Sequence, residues 1–236
     1  RFNLSKKDQK RIKEDYLRIL RYIRFFLNYS KQPHSSEILK KLKINIGGIS
    51  KLSKDRLFNE LKKILKIDLL QKLSKDKFSI DLILMIFPEL KNLKHFSNLN
   101  QRNKDLFKEK DFIFPLSLLI TDQTDNVDYF LYRFNLSKKD QKRIKNVDNF
   151  FKEKVNSNTF TKTGMNKVFY YNGKEAVIDI LKYKIIKSKK VDNSLKELIQ
   201  YYENIRIPVM PINADLLMSK YKLTEGKQLG KKLKAI

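Results

Sequence analysis

"RIKEDYLRILRYIRFF" occupies residues 11–26. Ile12, Tyr16, Ile19, Ile23 and Phe26 fall on one stripe at helical spacing, so the stretch reads as an amphipathic helix. Its other face holds Arg11, Glu14, Asp15, Arg18, Arg21 and Arg24. Residues three and four apart are neighbours on a helix, which sets Asp15 beside Arg18. The same spacing allows the surface pairs Arg11–Asp15 and Glu14–Arg18, worth about 0.3–0.5 kcal/mol each.

The helical period recurs along the chain. Leu57, Leu61 and Leu65 share a stripe, as do Ile144, Val147 and Phe151, and Leu195, Leu198 and Tyr202. Strand-like alternation is confined to "KVFYY" at 167–171. The expected fold is all-α, with about ten helices and short connections. Ser36, Ser53, Ser79 and Ser137 suit helix N-caps, and Asp140 three residues after Ser137 makes a capping-box variant. The paired glycines of "NIGGIS" (45–50) lack the preceding strand and the Lys-Ser/Thr of a phosphate loop, so they read as a turn or helix C-cap.

Charge narrows the partner. Against 26 Asp+Glu stand 52 Lys+Arg, a net +26 in 236 residues. Such an excess points to a polyanion, most simply nucleic acid. The alternative is a Lys-rich coding bias spread over solvated faces. The absence of cysteine excludes disulfides, a thiolate nucleophile and Cys-based zinc sites. Two isolated histidines, His34 and His95, read as surface or boundary residues rather than metal ligands. The apolar runs at 78–90 and 111–120 are too short to span a bilayer. A reducing, cytoplasmic compartment without membrane association is expected, and Arg1 looks like the edge of a fragment.

The string "EDYLRILRYIRF" (14–25) resembles a motif of the class II tRNA nucleotidyltransferase/poly(A) polymerase family. The resemblance implies that this helix belongs to the neck following a catalytic head. It implies that Asp15 and Arg18 read the base of the incoming nucleotide. Arg21 and Arg24 take a nucleotide-binding role, through phosphate or helix positioning. "ISKLSKDRLFNELKKIL" (49–65) resembles a second motif, with Asp55 where Glu is usual. There Arg56 and Glu60, at i,i+4 and facing one another, with Glu14, support the reading helix. "MPINADLLMSKYKLTEGKQLGKKLKAI" (210–236) resembles a tail segment, with Ala214 replacing a Gly. Lys220, Lys222 and Lys227 there are candidate RNA-phosphate contacts, or else solvated lysines.

The residue types suit the chemistry. An ionised Asp only accepts hydrogen bonds and Arg only donates. Cytosine and adenine both present an amino donor beside a ring-nitrogen acceptor. Uracil and guanine present a carbonyl beside an N–H and would mismatch both side chains. Each mismatch costs about 1–3 kcal/mol. One Asp/Arg pair can therefore accept C and A and reject U and G without a template.

The family resemblance implies a neck, body and tail of a tRNA nucleotidyltransferase: neck at 11–75, helical body at 76–205 and partial tail at 206–236. No catalytic residue and no metal ligand is expected within the chain. The family's two-Mg²⁺ site belongs to the head, with CTP and ATP as substrates and tRNA as partner. A poly(A) polymerase of the same family and a non-catalytic basic helical RNA-binding protein remain alternatives. Oligomeric state is left open.

One oddity concerns the start. "RFNLSKKDQKRIK" occurs at 1–13 and again, letter for letter, at 133–145. Structural repeats diverge and recur every 20–50 residues or so. Residues 1–10 therefore read as a joining artefact or recent copy of sequence native to the body.

Overall fold

The computed structural model describes residues 6–97, 99–108, 110–153, 157–188, 193–206, 214–222 and 224–235. The chain divides into two units, Arg1–Glu203 and Asn204–Ile236. The first unit holds α1 (Lys6–Glu14), α2 (Leu17–Tyr29), α3 (Ser36–Asn45), a 3₁₀ helix (Ile46–Lys51), α4 (Lys54–Ile64) and α5 (Ile67–Leu73). It continues through α6 (Lys77–Ile86), α7 (Gln101–Lys104), α8 (Ile113–Ile120), α9 (Asn126–Arg133) and α10 (Lys138–Lys152). It ends with α11 (Lys162–Asn172), α12 (Lys174–Lys187) and α13 (Asn193–Asn204). The second unit carries α14 (Ala214–Tyr221) and α15 (Lys227–Ala235), with Leu217 and Leu229 buried.

The fold is all-α: no strand occurs among the described residues. "KVFYY" lies in α11, where Met165 and Phe169, one helical turn apart, are buried and Tyr171 faces solvent. Among the described residues there are fifteen α-helices, more than the number expected, because several segments are divided by local breaks.

The decisive break falls inside 11–26, which is two helices rather than one. Asp15 is the cause. Its Oδ1 accepts from the Leu17 backbone N–H at 3.2 Å, competing with the helical bond pattern. The backbone then tightens to i→i+3 bonds, Arg18 N to Asp15 O and Ile19 N to Tyr16 O. The apolar stripe survives the kink: Ile12, Ile19 and Ile23 are all buried. Through it α2 packs on α4 and α5.

Two of the four expected serine caps are in place. Ser53 accepts from Arg56 N, and Ser137 from Asp140 N. At α3 the cap position belongs to Ser35, with Ser36 the first helical residue. At α6 the cap is Asp76, whose Oδ2 accepts from Ser79 N at 2.9 Å. A carboxylate is the stronger acceptor for these first-turn donors.

Every residue of α8 is buried, marking it as the centre of the body, and α10 packs on it and on α12. Asp111 Oδ1 accepts from Ile113 N and Phe114 N, and Pro115 has no N–H to satisfy. The single Tyr202 O–H of α13 is shared between Asn166 Oδ1 at 2.8 Å and the Lys162 carbonyl at 3.0 Å, fastening α13 to α11.

The repeated sequence meets different surroundings. In the second copy Arg133 binds Glu89 and the Ile86 carbonyl, Phe134 enters a cluster with Phe58, Phe87 and Phe130, and Leu136 is buried. Arg143 clamps two carboxylates. In the first copy the equivalent Arg11 is exposed, while Ile12 is buried like its counterpart Ile144. The two copies share helix and apolar contact; the ion pairs of the second are set by what lies across from it.

Candidate nucleotide-reading site

The break at Asp15 lies against α4. Arg56 Nη2 donates to Asp15 Oδ1 at 3.1 Å. Oδ1 thus serves both Arg56 and the Leu17 amide. Among the described residues Oδ2 has only Arg21 Nη1 at 3.6 Å, beyond good hydrogen-bond length. A carboxylate offers about four lone-pair sites, so Oδ2 retains capacity for an amino donor. Arg18 is exposed and makes no ion pair or side-chain hydrogen bond with the described residues.

Two expected contacts are rearranged. The i,i+4 pair Glu14–Arg18 is not formed, and the turn at 15–16 carries the Asp15 carboxylate away from its neighbour Arg18 toward α4. Arg56 does not pair with Glu60, because Asp15 captures it. Glu60 instead joins α4 to α2. Its Oε2 accepts from Arg24 Nε at 3.2 Å, and its Oε1 faces Lys63 Nζ at 2.7 Å and Arg21 Nε at 3.5 Å. The Glu60 side chain is 3% exposed. Burial alone would raise its pKa. The hydrogen bond from Lys63 and the charges of Arg24, Lys63 and Arg21 prevail and hold it below the ordinary glutamate value. Arg24 also lies over the Phe25 ring, 4.4 Å from its centroid. That fixes Arg24 as a holder of α2, whereas Arg21, 41% exposed, spans Asp15 and Glu60. Glu14 is exposed and makes no contact with this network.

Three contributors carry no local sequence signal. Lys63 completes the cations around Glu60. Tyr16 lays its ring on Gly48 so closely that a Cβ there would lie under 3.0 Å from three ring carbons. This close approach, rather than a C-cap or phosphate loop, accounts for the second glycine of "NIGGIS". His34 is a boundary residue, half-buried with its side chain 7% exposed, and it acts as a joint. Its Nδ1 meets Tyr22 Oη at 2.9 Å and its Nε2 meets Asp76 Oδ2 at 2.9 Å. Its ring stacks on Phe26 with centroids 3.5 Å apart. Burial and the Asp76 charge push the Tyr22 hydroxyl up to about 12. This chain of contacts fixes the α2 turn next to Arg21 and Arg24 against the start of α6.

In the second unit Lys220, Lys222 and Lys227 are all exposed. Lys222 (φ 48°) and Gly226 (φ 152°) have positive φ between α14 and α15. The Tyr221 ring lies beneath Lys220 and Lys232. Residues 210–213 of the tail segment fall outside those described.

Among the described residues no group of three His, Cys, Asp or Glu side chains could hold a metal ion, and no helix is long and apolar enough to cross a membrane. No protein-family model matches the chain. It is similar to CCA tRNA nucleotidyltransferase 1, mitochondrial, of Mus musculus: 27% identity over 231 residues, covering 94% of this chain and 50% of the mouse protein. The protein of that name from Homo sapiens is 35% identical over 114 residues, 47% of this chain and 25% of its own length. That from Danio rerio is 46% identical over 57 residues, 23% and 13%. The chain spans about half the length of the mouse relative and less of the other two. These matches support a relation to the CCA tRNA nucleotidyltransferases.

Proposed function

We propose that this chain selects the base and holds the RNA in a template-independent nucleotidyltransferase that adds C and A to tRNA 3′ ends from CTP and ATP. The RNA 3′-hydroxyl attacks the α-phosphate and pyrophosphate leaves. The observation that carries this reading is the division of labour at Asp15. Oδ1 is anchored by Arg56 and Leu17, Oδ2 keeps acceptor capacity, and Arg18 has no side-chain partner among the described residues. Oδ2 takes the exocyclic amino group of cytosine or adenine, and Arg18 serves the ring nitrogen. Arg24, Glu60 and Arg56 keep that edge in place, and the lysines of the second unit meet tRNA phosphates.

The described residues do not fit a Mg²⁺ site. In this reading the metal chemistry of the transfer falls to a catalytic head.

The test is to express the chain behind the catalytic head of a relative and supply tRNA lacking its CCA end with CTP and ATP. Three defined additions support the proposal. A long A tail indicates a poly(A) polymerase. RNA binding without incorporation favours the non-catalytic RNA-binding protein.

A further inference from the structure

A second polar cleft lies in the body, built by the N-terminal approach to α8, by α10 and by α12. Its volume is about 430 Å³, and Phe112, Ile113 and Ile178 supply apolar wall. Four carboxylates line it, and each is engaged. Asp111 and Asp179 both accept from Arg143, through its Nη1, Nη2 and Nε. Asp140 accepts from the Ser137 hydroxyl, and Glu175 lies 3.9 Å from Lys139 Nζ.

The cations that remain are Lys108, Lys110 and Lys182. None forms an ion pair or side-chain hydrogen bond with the described residues. Lys182 is the telling one, because it is only 7% exposed. Its stem is buried, while its Nζ, over the Phe114 ring at 5.8 Å, is not among the buried unpartnered atoms and so stays accessible from the cleft. Burial lowers its pKa, the nearby Lys108 charge lowers it further, and Asp179, Glu203 and Asp111 oppose without hydrogen-bonding to it. Its N–H donors, with no carboxylate bound to them, are left for an anion in the cleft, together with those of Lys108 and Lys110.

We propose that this cleft binds a phosphate group, with the Lys182 ammonium as the innermost donor and the exposed Lys108 and Lys110 meeting the anion from the rim. Arg143 is a positioning residue: by occupying Asp111 and Asp179 it keeps those carboxylates from pairing with Lys182. The phosphate belongs either to an RNA backbone or to a free phosphorylated small molecule. This inference is independent of the base-reading assignment, since it uses neither Asp15 nor Arg18.

Inorganic pyrophosphate is the probe, titrated calorimetrically into the whole chain at moderate salt, with a short RNA as competitor. Lys182→Met keeps the aliphatic stem and removes the charge. It should weaken pyrophosphate binding about ten- to a hundredfold, the loss of a charged hydrogen bond, without lowering the melting temperature. Lys108→Ala with Lys110→Ala, both exposed, should weaken it in the same direction. The charge-matched change Lys31→Ala with Lys40→Ala, elsewhere on the surface, should leave it as in the parent. Displacement of pyrophosphate by RNA assigns the site to backbone phosphate; retention in the presence of RNA assigns it to a small phosphorylated molecule. Equal binding by the parent and the Lys108/Lys110 and Lys182 variants, or equal loss in the Lys31/Lys40 control, overturns the proposal.

Discussion

Arg56 of α4 donates to Asp15 across 3.1 Å, bridging to the break between α1 and α2. The bond uses Oδ1 and leaves Oδ2 to a 3.6 Å contact with Arg21. A salt bridge this exposed adds at most about 1 kcal/mol of stability. Its effect is to aim a carboxylate.

Asp15→Ala should therefore change nucleotide choice more than folding. The variant loses the acceptor for the C and A amino groups, while Arg18 can still donate to a ring nitrogen or to the carbonyl of U or G. In the head-fused protein, incorporation of UTP and GTP should rise relative to CTP and ATP, with the melting temperature nearly unchanged. Arg18→Ala should lower use of CTP and ATP together. Full C/A selectivity in Asp15→Ala would reduce the Asp15 contacts to surface ion pairing.

Glu60 should behave in the opposite manner. Glu60→Gln leaves Arg21, Arg24 and Lys63 around a neutral, buried amide. Breaking one partner of a buried ion pair costs about 3–5 kcal/mol, and the polar edges of this network place Glu60 at or below the lower end. Because its folded pKa is lowered, its stabilisation is complete above the ordinary glutamate value, about 4.3. It is lost as pH falls through the depressed folded value. Thermal melts should show a parent whose stability declines on acidification and a Glu60→Gln variant with a shallower acid limb.

The sequence made the helical class and the buried stripe of α2 legible because both depend on spacing within one element. Ile12, Ile19 and Ile23 are buried as the period required. The pairings at the site were not legible. Local spacing offered Asp15–Arg18 and Arg56–Glu60, whereas the folded chain prefers partners 36 to 41 residues away, Arg24–Glu60 and Arg56–Asp15. A kink at Asp15 was enough to redirect them. His34 was hidden for a similar reason: Asp76 lies 42 residues further on.

Gly48→Ala tests how the kink is held. The new methyl group would overlap the Tyr16 ring, which must turn away. Overpacking of this kind costs about 1–3 kcal/mol. Tyr16→Ala in the Gly48→Ala background removes the overlap, so the double variant should be more stable than the sum of the single changes requires. Additive melting free energies would show that the ring is not held against Gly48.

The duplicated sequence offers an internal control. Arg143→Met strands Asp111 and the more deeply buried Asp179 without their shared cation. Burial already raises the Asp179 pKa, whereas Arg143 holds that of Asp111 down. The expected loss is about 3–5 kcal/mol at neutral pH. The same substitution at the exposed Arg11 should stay within about 0.5 kcal/mol. Denaturant unfolding of the two variants compares one sequence in two settings. Similar losses would mean that the Arg143 clamp adds nothing specific.

RNA affinity should depend steeply on salt. The net charge of +26 acts through phosphate neutralisation, which carries no sequence information. Each lysine that meets a phosphate adds about 0.7–0.9 to the slope of log affinity against log salt. Lys220→Ala, Lys222→Ala and Lys227→Ala should each flatten that slope by about this amount, alike for different RNA sequences. Their side chains are exposed, so melting of the second unit should be unaffected. Asp15→Ala should leave the slope intact, because base reading makes no phosphate contact. The measurement is a filter-binding or anisotropy titration of tRNA at several salt concentrations. Slopes unchanged by all three lysine substitutions would remove the second unit from the RNA contact and return these residues to solvated surface charge.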